Sequence, residues 1–179
     1  MFMSIIQKRR SIRKFLEKPV EAEKIDMLVE AALRSPSSRG FNPWEFIVVT
    51  EQGLLEKLSK AKQQGSEFLQ NAPLGIVVCA NSDKSDTWIE DSSIASIFIL
   101  LAAESMGLGG CWIHIRDRMH NDTKTAQEYI GEIVHIPEKL KVESMIALGY
   151  SDEKKPHHKK EELQYEKVYF NLYGELYTL

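Results

Sequence analysis

Three arginines and a serine fall within five residues near the start of the chain, Arg9-Arg10-Ser11-Ile12-Arg13. Guanidinium groups and a hydroxyl crowded in this way can hold a phosphate through charge-assisted, partly bidentate hydrogen bonds, which a lysine point charge imitates less well. Far along the chain, Gly107-Leu108-Gly109-Gly110-Cys111-Trp112-Ile113 offers bare backbone beside a flat ring. Between them Pro36-Ser37-Ser38-Arg39-Gly40-Phe41-Asn42-Pro43-Trp44 follows an amphipathic helix and leads into an apolar strand, a position at which loops often carry sites.

Other chemistries fit less well. His157 and His158 are adjacent, so their rings diverge, and with His114, His120 and His135 they form no regular metal spacing with carboxylate or cysteine partners; no metal is expected. The Gly107 segment closes a helix and opens a strand, the reverse of a dinucleotide fingerprint. A net charge of −3 leaves no basic surplus for generic nucleic-acid binding, so the local positive charge from Arg9 to Lys14 suits a small anion better. Cys79 and Cys111 both sit in apolar runs and read as buried thiols in a reducing cytoplasm. Met1 to Ile6 is too short for a signal-peptide apolar region, and no run approaches the roughly 18 apolar residues of a membrane span, so a soluble protein off the membrane is expected.

The elements that must position these residues follow from periodicity. Ile25, Leu28, Val29, Ala32 and Leu33 mark a helix with one buried stripe ending near Ser35-Pro36. Trp44 to Thr50 reads as a strand, Leu54, Leu55, Leu58 and Ala61 as a second amphipathic helix, and Leu74 to Ala80 as a strand at the sheet centre. From Ile89 to Met106 the chain is apolar on almost every side, so that helix must be surrounded by its own domain or by a second subunit; Gly107 stops it. Cys111 to Ile115 and Glu143 to Leu148 supply further strands, with a helix capped at Asn121-Asp122 between them. Tyr165, Tyr169, Tyr173 and Tyr177 recur at the spacing of one helical face, which predicts aromatic rings pressed onto another surface. No linker divides the 179 residues, so one domain is expected.

Arg-Arg-Ser-Ile-Arg-Lys-Phe, Ser-Pro-Ser-Ser followed by Asn-Pro-Trp, Gly-Leu-Gly-Gly-Cys-Trp-Ile and Ala147-Leu148-Gly149-Tyr150 resemble, in order, the four signature blocks of the FMN-dependent nitroreductase family. The resemblance implies an α+β fold, a three-layer sandwich whose central mixed, mostly antiparallel sheet is flanked by helices. It also implies an intertwined homodimer: a single FMN-binding domain over residues 1–179, its C-terminal arm, about 162–179, packing on the partner subunit. By the same resemblance Arg9 and Ser11 bind the FMN phosphate, Arg10 belongs to the cofactor-binding set, and Arg13 approaches the pyrimidine edge of the ring. Pro36, Ser37, Ser38 and Asn42 reach the flavin of the other subunit, Asn42 standing where the family commonly has the longer Gln. Trp112, Ile113, His114 and Ile115 form the strand whose backbone faces the flavin N5, and no side chain need act as an acid or base there. His157 and Lys159 stand nearest the arginine pair that usually completes the phosphate pocket. The implied activity takes hydride from NADH or NADPH onto FMN and reduces a nitroaromatic or quinone-like acceptor by a ping-pong mechanism. The loss of the arginine pair motivates the alternative, a non-enzymatic flavin carrier or a diverged dimer of the same fold.

Overall fold

A computed structural model describes residues 2–177; Met1, Thr178 and Leu179, at the ends of the terminal segments discussed above, lie outside them. Its elements in chain order are α1 (Phe2–Lys8), α2 (Ala22–Leu33), β1 (Trp44–Val49), α3 (Gln52–Leu58), β2 (Leu74–Asn81), α4 (Trp88–Ser105), β3 (Gly109–His114), α5 (Ala126–Val134) and β4 (Leu140–Gly149). The strands form one sheet in the order β1-β2-β4-β3, every neighbouring pair antiparallel. The parallel pairing that makes the sheet mixed is a single bridge, Ser11 to Gly110.

β2 takes its central place because its two faces are both apolar. Leu74, Ile76 and Val78 pack toward α2 and α4, while Val77 and Cys79 pack toward α3 and α5. Leu28, Ala32, Ile99, Leu100 and Ala103 complete the first layer's core, and Leu55, Leu58, Ile113, Ala126 and Ile130 the second's. The result is helix, sheet, helix: a three-layer sandwich, as the resemblance implies.

α4 ends as the sequence predicts. Gly107 takes φ +75°, and the amides of Gly107 and Leu108 return to the carbonyls of Glu104 and Ala103 at 3.2 and 2.9 Å, the double bond pattern of a left-handed helix stop. The helix is only half surrounded by its own chain. Ile94, Ile97 and Phe98 remain 36%, 39% and 38% exposed along one side.

Two expectations are corrected. The cap of α5 is Thr125, whose hydroxyl accepts from Glu128 N–H at 3.2 Å while the Glu128 carboxylate accepts from Thr125 N–H at 2.8 Å. Asn121 closes a tighter turn upstream, accepting from Thr123 and Lys124 amides. The tyrosines share no helical face, because Asn171 and Gly174 take φ +62° and +96°, which no helix admits. The segment forms a short turn at Tyr165–Lys167 and then folds back, Tyr169 bridging to Leu176, with Phe170, Leu172 and Tyr173 exposed.

A Cβ on Gly109 would stand 2.8 Å from Ile12 Cγ1, so the segment leading out of the arginine cluster lies against bare backbone. Gly109→Ala is therefore expected to lower stability by about 1–3 kcal/mol in urea unfolding, the usual overpacking cost. Gly53→Ala, meeting nothing closer than 3.6 Å in α3, should be neutral or stabilising.

Candidate functional site

The arginine cluster begins where α1 stops. Arg9 N–H still bonds back to the Ile5 carbonyl at 2.9 Å, after which the chain extends and Ile12 N–H donates to the Gly110 carbonyl at 3.0 Å. This lays Ser11 and Ile12 along the free edge of β3 and sets Arg9 and Ser11 beside Trp112. A cleft of about 290 Å³ opens there, lined by Arg9, Ser11 and Trp112 together with Ser93, Ser96, Ile97 and Leu100 of α4. A larger concavity of about 800 Å³ lies beyond Arg13, among Lys14, Glu17, Lys18, Gln52, Gln70 and Asp152. Its charges are of both signs, and Arg13 is the only residue there from the predicted set. The smaller cleft is the better candidate because the arginine cluster and the glycine-tryptophan block converge in it.

The segment after β4 clamps the cluster from behind. Lys155 Nζ donates to the Ser11 carbonyl at 2.5 Å and pairs with Glu153 at 3.1 Å. Glu153 also accepts from the backbone amides of Arg13 and Lys14 at 2.6 and 3.3 Å. Partial burial works against its charge, but the Arg13 amide and Lys155 outweigh it and hold the carboxyl below the usual glutamate range. Arg10 donates through Nη1 to the Pro156 carbonyl, and His157 Nδ1 meets the Lys8 carbonyl at 3.1 Å. Lys159 opens the short turn at Lys160–Glu162, its amide donating to Glu162 at 3.1 Å. Lys155, not singled out in the sequence, is thus the cation of this run whose ammonium reaches the Arg9–Ser11 backbone. It is one of four lysines between residues 154 and 160, and nothing in the local sequence marks it out from the others.

Arg13 turns away from the cleft, its guanidinium 5.6 Å above the Phe68 ring. The Pro36–Asn42 loop does not line the cleft of its own chain either. Ser37 Oγ donates to Asn42 Oδ1 at 2.7 Å and accepts the Asn42 amide at 2.9 Å, which holds Asn42 at φ +45°. Asp91, in the first turn of α4, anchors the loop by accepting Ser38 N–H at 2.8 Å, and it also takes Ser85 Oγ at 3.1 Å. Its role was illegible because the contact spans 53 residues.

On β3 the side chains alternate. Ile113 and Ile115 are buried in the α3–α5 layer, while Trp112 and His114 share the other face with ring centroids 5.2 Å apart. His114 Nδ1 is buried without a partner. Burial, joined by Arg118, Arg116 and Lys62, pushes its pKa below the ordinary histidine value, so the ring is neutral at pH 7 and is no standing proton donor. Cys111 points into the opposite layer, and burial raises its thiol against the pull of Arg13, Lys155, Ser11 and Arg9, so it stays protonated. Among the described residues no cluster of His, Cys, Asp or Glu is arranged to hold a metal.

This arrangement has known counterparts. The model of the nitroreductase family matches residues 6–66 and 59–150. A solved FMN-dependent nitroreductase from Clostridium difficile R20291 superposes with a TM-score of 0.94 at 47% identity, over 96% of this chain and 99% of that one. An Archaeoglobus fulgidus protein whose provisional name joins NADH dehydrogenase and NAD(P)H nitroreductase is 36% identical over 86% of this chain and 87% of its own. The NADPH:FMN oxidoreductase of Vibrio harveyi, solved with NAD+, is similar with a TM-score of 0.78 at 26% identity, over 98% of this chain and 79% of that one.

Asp91→Ala leaves the Ser38 amide without its acceptor, and is expected to cost about 1–3 kcal/mol. Hydrogen exchange should then show lost protection at Ser38 and its neighbours, with β2 amides unchanged.

Proposed function

The chain belongs to the nitroreductase family, and from that membership we propose that it is an FMN-dependent oxidoreductase that draws hydride from NADH or NADPH. The observation that carries the reading is the convergence of Arg9, Ser11 and Trp112 on one cleft, with Lys155 behind them. The donor set fits the cofactor. Arg9 and the Ser11 hydroxyl offer a phosphate the fork and donor it needs at one end, with Arg10, Lys155, His157 and Lys159 adding positive charge around them. Toward the other end, the half-exposed Trp112 and the neutral His114, their rings tilted 35° to each other, share one face of the strand, and the backbone through Ile113 and Ile115 runs beneath them. Bound there, FMN supplies the redox chemistry, accepting and releasing hydride at N5, while the protein binds, orients and polarises it.

One open cleft serving donor and acceptor in turn makes the kinetics ping-pong. The acceptor class is a nitroaromatic or a quinone, flat molecules able to stack where the nicotinamide has left. A homodimer completes the site. Ile94, Ile97 and Phe98 of α4 leave an apolar strip beside the cleft, and the exposed Phe170, Leu172 and Tyr173 suit a C-terminal arm, about 162–179, that crosses to the partner from an otherwise single domain. The Pro36–Asn42 loop, including Pro36, Ser37, Ser38 and Asn42, then serves the other subunit's flavin, and Arg13 swings from Phe68 to the ring edge. No described helix is long and apolar enough to cross a membrane; a cytoplasmic location is part of the same proposal.

Arg9→Ala should weaken FMN binding roughly 10- to 100-fold in a fluorescence titration, the worth of one charge-assisted contact. Arg34→Ala, at the C-terminal cap of α2 and paired with Glu30 of that helix, should bind as the parent does. Initial rates at varied NAD(P)H and acceptor should give parallel double-reciprocal lines; intersecting lines would contradict the shared cleft.

A further inference from the structure

An acid is buried directly behind the cleft. Val78 pairs with Ser144 and Cys79 with Val142, so Glu143 is the extra residue of a β-bulge in β4. A bulge leaves its residue out of the ladder and re-aims its side chain. The Glu143 carbonyl accepts from both Ile115 and Arg116 amides at 3.1 Å, ending the regular pairing with β3. Its side chain is 2% exposed, with Oε1 3.4 Å from Ser93 Oγ and Oε2 without a partner. Ser93 is a lining residue of the cleft, as is Trp112, whose indole is among the groups around the carboxyl although no hydrogen bond joins them. Packing alone favours an apolar residue at such a site, since burying a half-satisfied carboxyl costs stability.

We propose that Glu143 is a positioning residue of the cofactor site: its bulged, buried carboxyl holds the Ser93 hydroxyl and backs the Trp112 indole, and so fixes the face of β3 against which the ring is to lie. The inference rests on the functional reading above for its ring, and on the bulge for its geometry. Burial pushes the Glu143 carboxyl above the usual glutamate range, against Ser144, Ser93, Trp112 and Arg116, which favour its charge. Arg116 is the charged group that faces it. His114 and Lys141 are the next ionisable groups along β3 and β4, β2 presents Val78, and α4 presents the hydroxyls of Ser92, Ser93 and Ser96, while Asp91 is engaged by Ser38, Ser85 and Thr87.

The sign of the pH dependence follows. A carboxyl whose folded pKa is raised contributes stability that is fully present below the unfolded value and is lost as pH rises through the folded one. Glu143→Gln removes that loss, so its melting temperature relative to the parent should rise between pH 4 and pH 8, both within about the range that brackets a raised glutamate.

The test follows tryptophan emission in the flavin-free protein across that range, with Trp112→Phe identifying the Trp112 component, alongside FMN titrations. With His114→Gln in both proteins, because His114 titrates 5.2 Å from the indole, Trp112 emission should change with pH when Glu143 is present, and the change should vanish in Glu143→Gln, which keeps an acceptor at the same place. Glu143→Leu should shift Trp112 emission at every pH and weaken FMN binding about tenfold, whereas Glu143→Gln should stay within about threefold of the parent. The same pH-dependent emission in Glu143→Gln, or unaltered emission and FMN affinity in Glu143→Leu, would overturn the proposal. If Glu143→Leu fails to fold, the Glu143→Gln emission profile decides alone. A Glu143-dependent Trp112 signal in a protein that binds no FMN would uphold the positioning and sink the functional reading.

Discussion

Two missing side chains govern the site. Gly109 and Gly110 open β3, and a Cβ at Gly110 would meet Leu100 Cδ2 at 2.8 Å just as one at Gly109 would meet Ile12. Bare backbone here lets two things touch the sheet at once: the extended chain leaving the arginine cluster, on the strand's edge, and α4, on its face. The Ile12–Gly110 hydrogen bond is worth only about 1 kcal/mol in net stability. Its geometric consequence is larger, because it sets the register of Arg9 and Ser11 against Trp112 and places the cleft between that edge and α4.

Electrostatics builds on this docking. In a chain of net charge −3, Glu153 spends its lone pairs on the Arg13 and Lys14 amides and on Lys155, at the back of the segment that carries Arg9, Arg10 and Arg13. The glutamate shapes the backbone of the cluster and leaves the Arg9 guanidinium and the Ser11 hydroxyl to line the cleft. Lys155 pulls the post-β4 segment onto the Ser11 carbonyl, so the first signature block and the segment that follows the last one, joined by residues 144 positions apart, share one small volume. A phosphate in that volume would meet donors drawn from both ends of the domain.

Much of this was legible. The buried run of β2, the all-round apolar α4 and its glycine stop are encoded by local composition, and each appears where the sequence predicts. Errors arose where local rules offer two equal answers. Asn121 and Thr125 are both good caps, and only the Glu128 carboxylate reaching back to Thr125 decides between them. Four tyrosines at helical spacing meant no helix, since Asn171 and Gly174 between them favour left-handed backbone. Non-local features were out of reach. Asp91 holds a loop 53 residues away, Lys155 is one lysine among several, and the Glu143 bulge exists only in relation to the strand beside it.

Function here depends on a cleft that takes FMN and presents it to a nicotinamide donor. Its most direct test is the anaerobic visible absorption spectrum of the purified protein saturated with FMN, before and after NADH or NADPH. Stoichiometric binding followed by bleaching of the flavin bands with either nucleotide is the predicted result. Bound flavin that neither nucleotide bleaches would make the protein a carrier, and failure to bind FMN at all would contradict the site itself.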